Sequence, residues 1–187
     1  MLQPKSLGRV TASRFMLASL VFLLLGVLEG LMHPTKFFLK DFYAALLGID
    51  PQYIKTFFGY FITKIHTHIT LVGWVTTALM GLLYFAAEEI KGGHRYLAWL
   101  CLANLILHVA GVVLLAVGFH LIGIMAVPTG YQPGSPEFRA AAQGVRPLVV
   151  AGGLVLLASS LIFIYHMAAT LLARGQAPEE AAGAREK

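Results

Sequence analysis

Histidines and one glutamate lie inside or at the ends of long apolar stretches of this chain, and these residues could carry chemistry. Burying a polar side chain in lipid is expensive, so such residues normally face the interior of a helical bundle. Two imidazoles at the same depth on different helices can ligate a haem iron axially. Imidazoles with a carboxylate can instead hold a transition metal. The residues concerned are Glu29, His33, His66, His68, His108, His120 and His166.

The composition places these residues in a membrane protein. Of the 187 residues, 58% are apolar and only 12% are charged, with a mean hydropathy of +0.75. Soluble domains carry about 25% charged residues, so the composition excludes a soluble enzyme and a disordered chain. The single cysteine, Cys101, excludes an internal disulfide. The net charge of +5 comes from scattered lysines and arginines, which argues against a nucleic-acid partner.

The hydropathy pattern predicts an all-α fold, a four-helix transmembrane bundle forming one integral membrane domain over residues 1–187. About 20 helical residues cross a hydrocarbon core of about 30 Å, and four apolar stretches are that long. Pro147 suits the first turn of the last helix, where a missing N–H leaves nothing unbonded. Residues 174–187 form a polar tail. The predicted spans are 15–33, 58–87, 96–127 and 147–172.

The connections between the spans differ in character. Residues 34–56 interleave Phe38 and Phe42 with Lys36 and Lys40, which predicts an amphipathic segment lying in the membrane interface. Residues 128–146 are rich in proline and glycine, which predicts an irregular, solvated loop. With these four spans, eight lysines and arginines lie on the same side of the membrane as the N-terminus, and six lie on the opposite side. We therefore expect both termini on the cytoplasmic side of a prokaryotic inner membrane.

One face of the second span carries polar and small residues at helical spacing. This face is predicted to point into the bundle, because small residues let helices approach closely and polar residues avoid lipid. The opposite face, with Leu79 and Leu82, is expected to contact lipid. His66 is on the interior face, whereas His68 lies nearer the apolar face. The interior residues are His66, Thr70, Gly73, Thr77, Gly81 and Tyr84.

Depth in the membrane brings five polar residues together. At a rise of about 1.5 Å per residue from the predicted cytoplasmic ends, Glu29 lies about 21 Å deep and the others about 27–36 Å deep. We expect these five to form a cluster in the outer half of the bundle, called here the outer cluster. Its members are Glu29, His33, His66, His68 and His120.

His66 is the strongest candidate for a haem ligand, because it faces the interior and small residues beside it leave room for a planar macrocycle. His68, His120 and His108 are further candidates to bind the cofactor, and each also fits a packed, hydrogen-bonded role.

Glu29 is the candidate for a proton relay or for the carboxylate partner of a histidine, with His33 beside it. His166 is expected to be structural or to lie in the membrane interface. His33 and His94 lie at helix ends and are expected to be solvated.

The segment 64–74, KIHTHITLVGW, followed by MGLLY at 80–84, resembles the second helix of the catalytic subunits of haem–copper oxidases and nitric oxide reductases. It is still more similar to short four-helix proteins of the oxidase subunit I-like kind, which share its His-x-His-x4-Gly-Trp pattern. Residues 146–170 are also similar to a helix of that superfamily. In the large subunits the histidine that matches His66 binds the low-spin haem. The second axial ligand of that haem lies on a later helix of the large subunits, which has no counterpart among the four predicted spans of this chain.

The resemblance implies an integral membrane protein that binds haem b and acts in electron transfer or as a small subunit of a respiratory oxidase or nitric oxide reductase complex. It implies a redox or accessory subunit rather than an independent oxidoreductase. His120, His108 or a second copy of the chain would supply the missing axial ligand, so a homo-oligomer or a larger complex is expected.

Two alternatives remain open. One is a cofactor-free accessory or assembly subunit, in which the polar faces contact partner helices. The other is a site for copper or non-haem iron. Its ligands would be His66, His68 and His120, with Glu29 and His33 beside them.

Overall fold

The computed structural model describes residues 6–93 and 95–173, so His94 and the predicted polar tail 174–187 lie outside the described residues. The described residues form helices joined by short connections, with no strand among them, which confirms the all-α prediction. Four of these helices are long and apolar enough to cross a membrane. The helices are α1 (Leu7–Thr35), α2 (Lys40–Leu47), α3 (Pro51–Lys91), α4 (Ala98–Ala126), α5 (Pro136–Ala141) and α6 (Arg146–Leu171).

The helices extend further than the apolar stretches, because capping rather than hydropathy decides where they end. The Ser6 hydroxyl accepts a hydrogen bond from the Arg9 amide at 3.3 Å, which starts α1 well before the apolar run. Pro34 sits in the last turn of α1, where little helix remains to be disrupted. α3 continues past Glu88 and ends at Gly92, whose φ of 64° is the left-handed conformation that glycine adopts easily.

α3 is not a uniform α-helix. Phe58–Ile62 and His68–Thr76 are π-helical, with hydrogen bonds that reach one residue further back than in an α-helix. The Thr76 hydroxyl donates to the Leu71 carbonyl, five residues earlier, at 2.8 Å. His66 therefore stands in the α-helical turn Thr63–Thr67, between the two π-helical segments. Such segments occur frequently at functional sites.

α1 packs against α3 through the small residues of the predicted interior face. A Cβ atom at Gly81 would lie 3.1 Å from the Ala12 carbonyl oxygen, and one at Gly73 would lie 2.9 Å from the Phe22 ring. Close approach of this kind needs glycine on one side. Leu79 on the opposite face is half exposed, which fits contact with lipid.

α4 packs against α6 in the same way. A Cβ atom at Gly152 would lie 3.0 Å from the Gly111 carbonyl oxygen, and one at Gly118 would lie 2.7 Å from the Val149 side chain. Aromatic residues of α3 fill the space next to α4, since Phe57 and Phe61 are almost completely buried. The bundle therefore consists of two tightly packed helix pairs, α1 with α3 and α4 with α6, joined along α3 and α4.

The connecting segments at the opposite end of the bundle from residue 7 contain the two short helices. α2 lies in the predicted amphipathic segment 34–56, where it buries Tyr43 and exposes Lys40 and Phe42. The prediction of an irregular loop over 128–146 was wrong in part, because α5 forms there. Ser135 caps α5 by accepting from the Phe138 amide at 3.1 Å, and the buried Phe138 ring stacks on Phe61 with centroids 5.9 Å apart.

Candidate functional site

His66 packs against the α1 backbone at Gly26 and Gly30. Its Nδ1 atom is 2.9 Å from the Gly26 carbonyl oxygen, so the Nδ1–H group donates to that oxygen. The ring also rests on Gly30, where a Cβ atom would lie 3.0 Å from His66 Cε1. Since one nitrogen is the donor, Nε2 carries the lone pair of the neutral ring. This is the arrangement in which a backbone carbonyl orients a histidine that ligates a metal through its other nitrogen.

A cavity of about 280 Å³ lies beside His66, between α1 and α3. Pro34 and Thr63 on its rim are partly exposed, so the cavity reaches the surface of the bundle. Small-molecule pockets hold about 300–1,000 Å³, so a macrocycle bound to His66 would extend beyond this cavity. The lining residues are Glu29, Gly30, His33, Pro34, Ile62, Thr63 and His66.

Glu29 of the same cavity reaches towards α4. Its Oε1 atom lies 3.6 Å from His120 Nε2, while its Oε2 atom is buried and has no hydrogen-bond partner within the described residues. His120 directs its Nδ1–H to the Ala116 carbonyl of its own helix at 2.9 Å. The structure thus brings Glu29 and His120 together and places Glu29 in one cavity with His66 and His33.

His33 is partly shielded rather than freely solvated. Its Nε2 atom is 3.3 Å from Lys36 Nζ, which donates to it, and the ring is half-buried at the cavity wall. The lone pair of His33 Nε2 is therefore engaged by the ammonium group.

His68 points away from the His66 cavity. Its Nδ1–H donates to the Lys64 carbonyl at 2.7 Å, and its ring packs against Phe119 of α4 at a centroid distance of 5.2 Å. Its Nε2 nitrogen carries the lone pair, as in His66. Although the outer cluster was predicted to include His68, this side chain lies on the α4 side of α3.

His108 has the opposite tautomer. Its Nε2–H donates to the Val72 carbonyl, in the π-helical part of α3, at 3.0 Å. Its Nδ1 atom is buried without a hydrogen-bond partner among the described residues. The side chain is 2% exposed, so protein atoms surround the only nitrogen that could ligate a metal.

A buried polar network occupies the other half of the bundle, and sequence reasoning treated its members separately. Tyr84 Oη lies 2.9 Å from His166 Nδ1 and accepts from the Asn104 amide at 2.9 Å. Ser159 donates to the Asn104 side-chain oxygen at 2.6 Å. The network joins α3, α4 and α6, so His166 has the structural contacts expected of it. The sequence signal that could have revealed this network is that Tyr84, Asn104 and His166 lie at a similar depth near one end of three predicted spans.

The described residues contain no group of three or more histidine, cysteine, aspartate or glutamate side chains close enough to hold a metal ion. The proposed set of His66, His68 and His120 is divided by α3 itself, since His66 faces α1 while His68 faces α4.

Comparison with known proteins gives a distant similarity. The chain is 34% identical over 122 residues to a protein named cytochrome c oxidase subunit 1 from Thermus thermophilus. The match covers 61% of this chain and 21% of that relative, so the chain spans about a fifth of its length. No protein-family model and no solved structure matches the chain. The similarity supports a relationship to subunit I of respiratory oxidases, in agreement with the resemblance of the segment around His66.

Proposed function

We propose that this chain is a membrane protein that binds haem b, with His66 Nε2 as one axial ligand, and that it passes electrons within or beside a respiratory oxidase complex. The observation that carries the proposal is the hydrogen bond from His66 Nδ1–H to the Gly26 carbonyl at 2.9 Å. It fixes the ring so that Nε2 is the free nitrogen, at the wall of the α1–α3 cavity. The similarity to a cytochrome c oxidase subunit 1 supports a role beside a respiratory oxidase.

The residues present fit a haem on this side of α3. Gly30 leaves the face of the His66 ring uncrowded, since any Cβ atom there would press on the ring at 3.0 Å. A bound haem would supply one-electron transfer, which these side chains do not provide by themselves. The chain's own part is to orient the imidazole through Gly26 and to exclude water with the apolar α1 and α3 surfaces. Glu29 and His120 would hold or pass a proton beside the cavity.

The second axial ligand comes from another copy of the chain or from a partner subunit under this proposal. The cavity of about 280 Å³ covers only part of a macrocycle. Within the bundle, His108 has its Nε2–H committed to Val72 and its other nitrogen enclosed. His68 retains a free Nε2 but lies towards α4 rather than in front of His66, and the Nε2 atom of His120 faces the Glu29 carboxyl group. A homo-oligomer or a larger respiratory complex in a prokaryotic inner membrane follows.

A reduced-minus-oxidised optical spectrum of the detergent-purified protein, after incubation with haemin, tests the proposal. We expect the α and Soret bands of a b-type haem in the wild type and at least a tenfold loss of them in His66→Ala. His108→Ala is the matched control, because it removes a histidine that has no accessible ligating nitrogen. Gly30→Ala should shift the bands, since it displaces the His66 ring without removing it.

Three results would contradict the proposal. The first is a wild-type protein that takes up no haem. The second is a His66→Ala variant that keeps all of it while remaining monodisperse. The third is an equal loss in His66→Ala and His108→Ala. Copper or iron found by elemental analysis without porphyrin would instead favour the non-haem metal site.

The cofactor-free accessory subunit remains the second candidate. It is favoured by the polar network around Tyr84, in which side chains of three helices hydrogen-bond directly to one another. Under this alternative, His66→Ala and His120→Ala leave the spectra of an associated oxidase complex unchanged.

A further inference from the structure

A second cleft lies at the opposite side of α3 from the His66 cavity, where α3, α4, α5 and α6 meet. Its volume is about 300 Å³. Its three charged lining residues are all cations, Lys64, Arg139 and Arg146, and no acidic residue lines it. We call it the basic cleft.

None of these three cations has a carboxylate partner within 4.0 Å in the part of the chain that the structure describes. Lys64 rests its ammonium group on the Tyr60 ring at 3.8 Å, and Arg139 donates from Nε to the Gly134 carbonyl at 3.0 Å. That bond fixes the Arg139 guanidinium while leaving its terminal N–H groups for another acceptor. Two of the three cations of the basic cleft are therefore held in place, and no carboxylate of the described residues neutralises the cleft.

The nearest acid along the chain does not compensate for this charge. Glu137, at the start of α5, is exposed and does not line the cleft. Its own backbone N–H and the Ser135 hydroxyl hold the pKa of the Glu137 carboxyl below its usual range. That carboxylate is thus engaged at the cap of its own helix.

The walls of the basic cleft are apolar. Phe61 and Phe138 stack on each other, and Phe119 and Ile122 of α4 line the cleft beside them. A small hydrated anion gains no binding free energy from apolar walls. An amphiphile fits better, because its anionic head can contact the cations and its hydrocarbon tail can contact the apolar walls. Lys64 belongs to a helix long and apolar enough to span a membrane, and Arg146 is the first residue of another. Arg139 and Arg146 lie at the end of a spanning helix, where lipid headgroups are expected, and Lys64 lies farther along its own helix.

We propose that the basic cleft binds the phosphate group of an anionic membrane lipid, with Lys64, Arg139 and Arg146 contacting the phosphate and the aromatic walls contacting the first part of an acyl chain. Basic pockets between membrane helices are suited to anionic headgroups. The site is separate from the His66 cavity and does not depend on whether haem binds.

Native mass spectrometry of the full chain, delipidated and then given equal amounts of phosphatidylglycerol and phosphatidylcholine with identical acyl chains, tests the proposal. We expect preferential retention of phosphatidylglycerol. Removing one cation near a membrane surface weakens binding of an anionic lipid about fivefold. Lys64→Gln and Arg139→Gln should each show that loss, and the double variant should lose more than tenfold.

Lys40→Gln is the matched control, because Lys40 is an exposed cation at the same end of the bundle that does not line the cleft. Arg139→Lys should keep most of the binding, and Arg139 is exposed, so its substitution leaves the core intact. An equal loss in Lys40→Gln would overturn the proposal by showing general charge attraction. Competition by millimolar inorganic phosphate would overturn it in favour of a free-phosphate site. If Arg139→Gln lost haem but kept the lipid, the proposal would be overturned, because the cleft would then bind the carboxylate groups of the cofactor.

Discussion

Glu29 of α1 and His120 of α4 meet across the bundle with 3.6 Å between Oε1 and Nε2. The two residues lie 91 positions apart in sequence, yet both were placed in the outer half of the membrane by their depth. Their contact links the helix pair that contains His66 to the other pair. The Glu29 side chain is 13% exposed, so little water is left to solvate its carboxyl group.

A double-mutant cycle on this contact should give a clear coupling energy. Glu29→Gln and His120→Gln each remove one member of a pair whose carboxyl group is mostly shielded from water, so we expect a coupling of about 1 kcal/mol in unfolding from detergent micelles. The exposed pair of Arg9 and Glu89, at 2.8 Å, is the matched control. Its coupling should fall in the range of about 0.2–1 kcal/mol. A coupling near zero for Glu29 and His120 would show that the contact contributes nothing.

Local periodicity was enough to predict the four long helices and the interior face of α3. The residues Gly73, Thr77, Gly81 and Tyr84 are all buried, as their spacing indicated. Periodicity reports only which residues share a face, and it needs no knowledge of the neighbouring helix. For this reason the fold class was predictable from the sequence.

The contacts of the candidate site were less predictable, because they depend on how the helices are rotated against one another. The hydrogen bond between His66 and Gly26 requires α1 to approach α3 at Gly30, which no single-helix pattern reveals. A fixed 3.6-residue period also cannot anticipate the π-helical segment His68–Thr76. Of the predicted outer cluster, Glu29, His33 and His66 share one cavity and Glu29 contacts His120, while His68 was found on the α4 side.

Tyr84 should be important for stability through its hydroxyl group. Tyr84→Phe keeps the buried ring but removes the oxygen that joins Asn104 to His166. Leaving these buried groups without a partner costs about 1–3 kcal/mol. Tyr165→Phe is the control, since Tyr165 is 55% exposed and should change stability by less than about 0.5 kcal/mol. Thermal unfolding in one detergent compares the two variants, and equal midpoints would argue against the network.

Two adjacent glycines of α6 should respond in opposite ways to the same substitution. A Cβ atom at Gly152 would lie 3.0 Å from both the Gly111 carbonyl oxygen and the Leu115 side chain, so Gly152→Ala must separate α4 from α6. We expect a loss of about 1–3 kcal/mol, the usual effect of overpacking. At Gly153 no atom lies within 4 Å of the added Cβ, so Gly153→Ala should be neutral or slightly stabilising. If Gly152→Ala were as stable as the wild type, α4 and α6 would not approach each other this closely at Gly152.

Single-cysteine labelling should reveal the orientation in the membrane. Cys101 is the single cysteine of the chain, so in a Cys101→Ala variant one introduced cysteine is the only thiol available for labelling. Lys40 and Arg95 are exposed and lie at opposite ends of the bundle. With the N-terminus in the cytoplasm, as the shallow excess of basic residues on that side favours, a membrane-impermeant maleimide should label Lys40→Cys in intact cells. It should label Arg95→Cys only after the cells are permeabilised, and the reverse pattern would place the N-terminus and the α3–α4 connection outside.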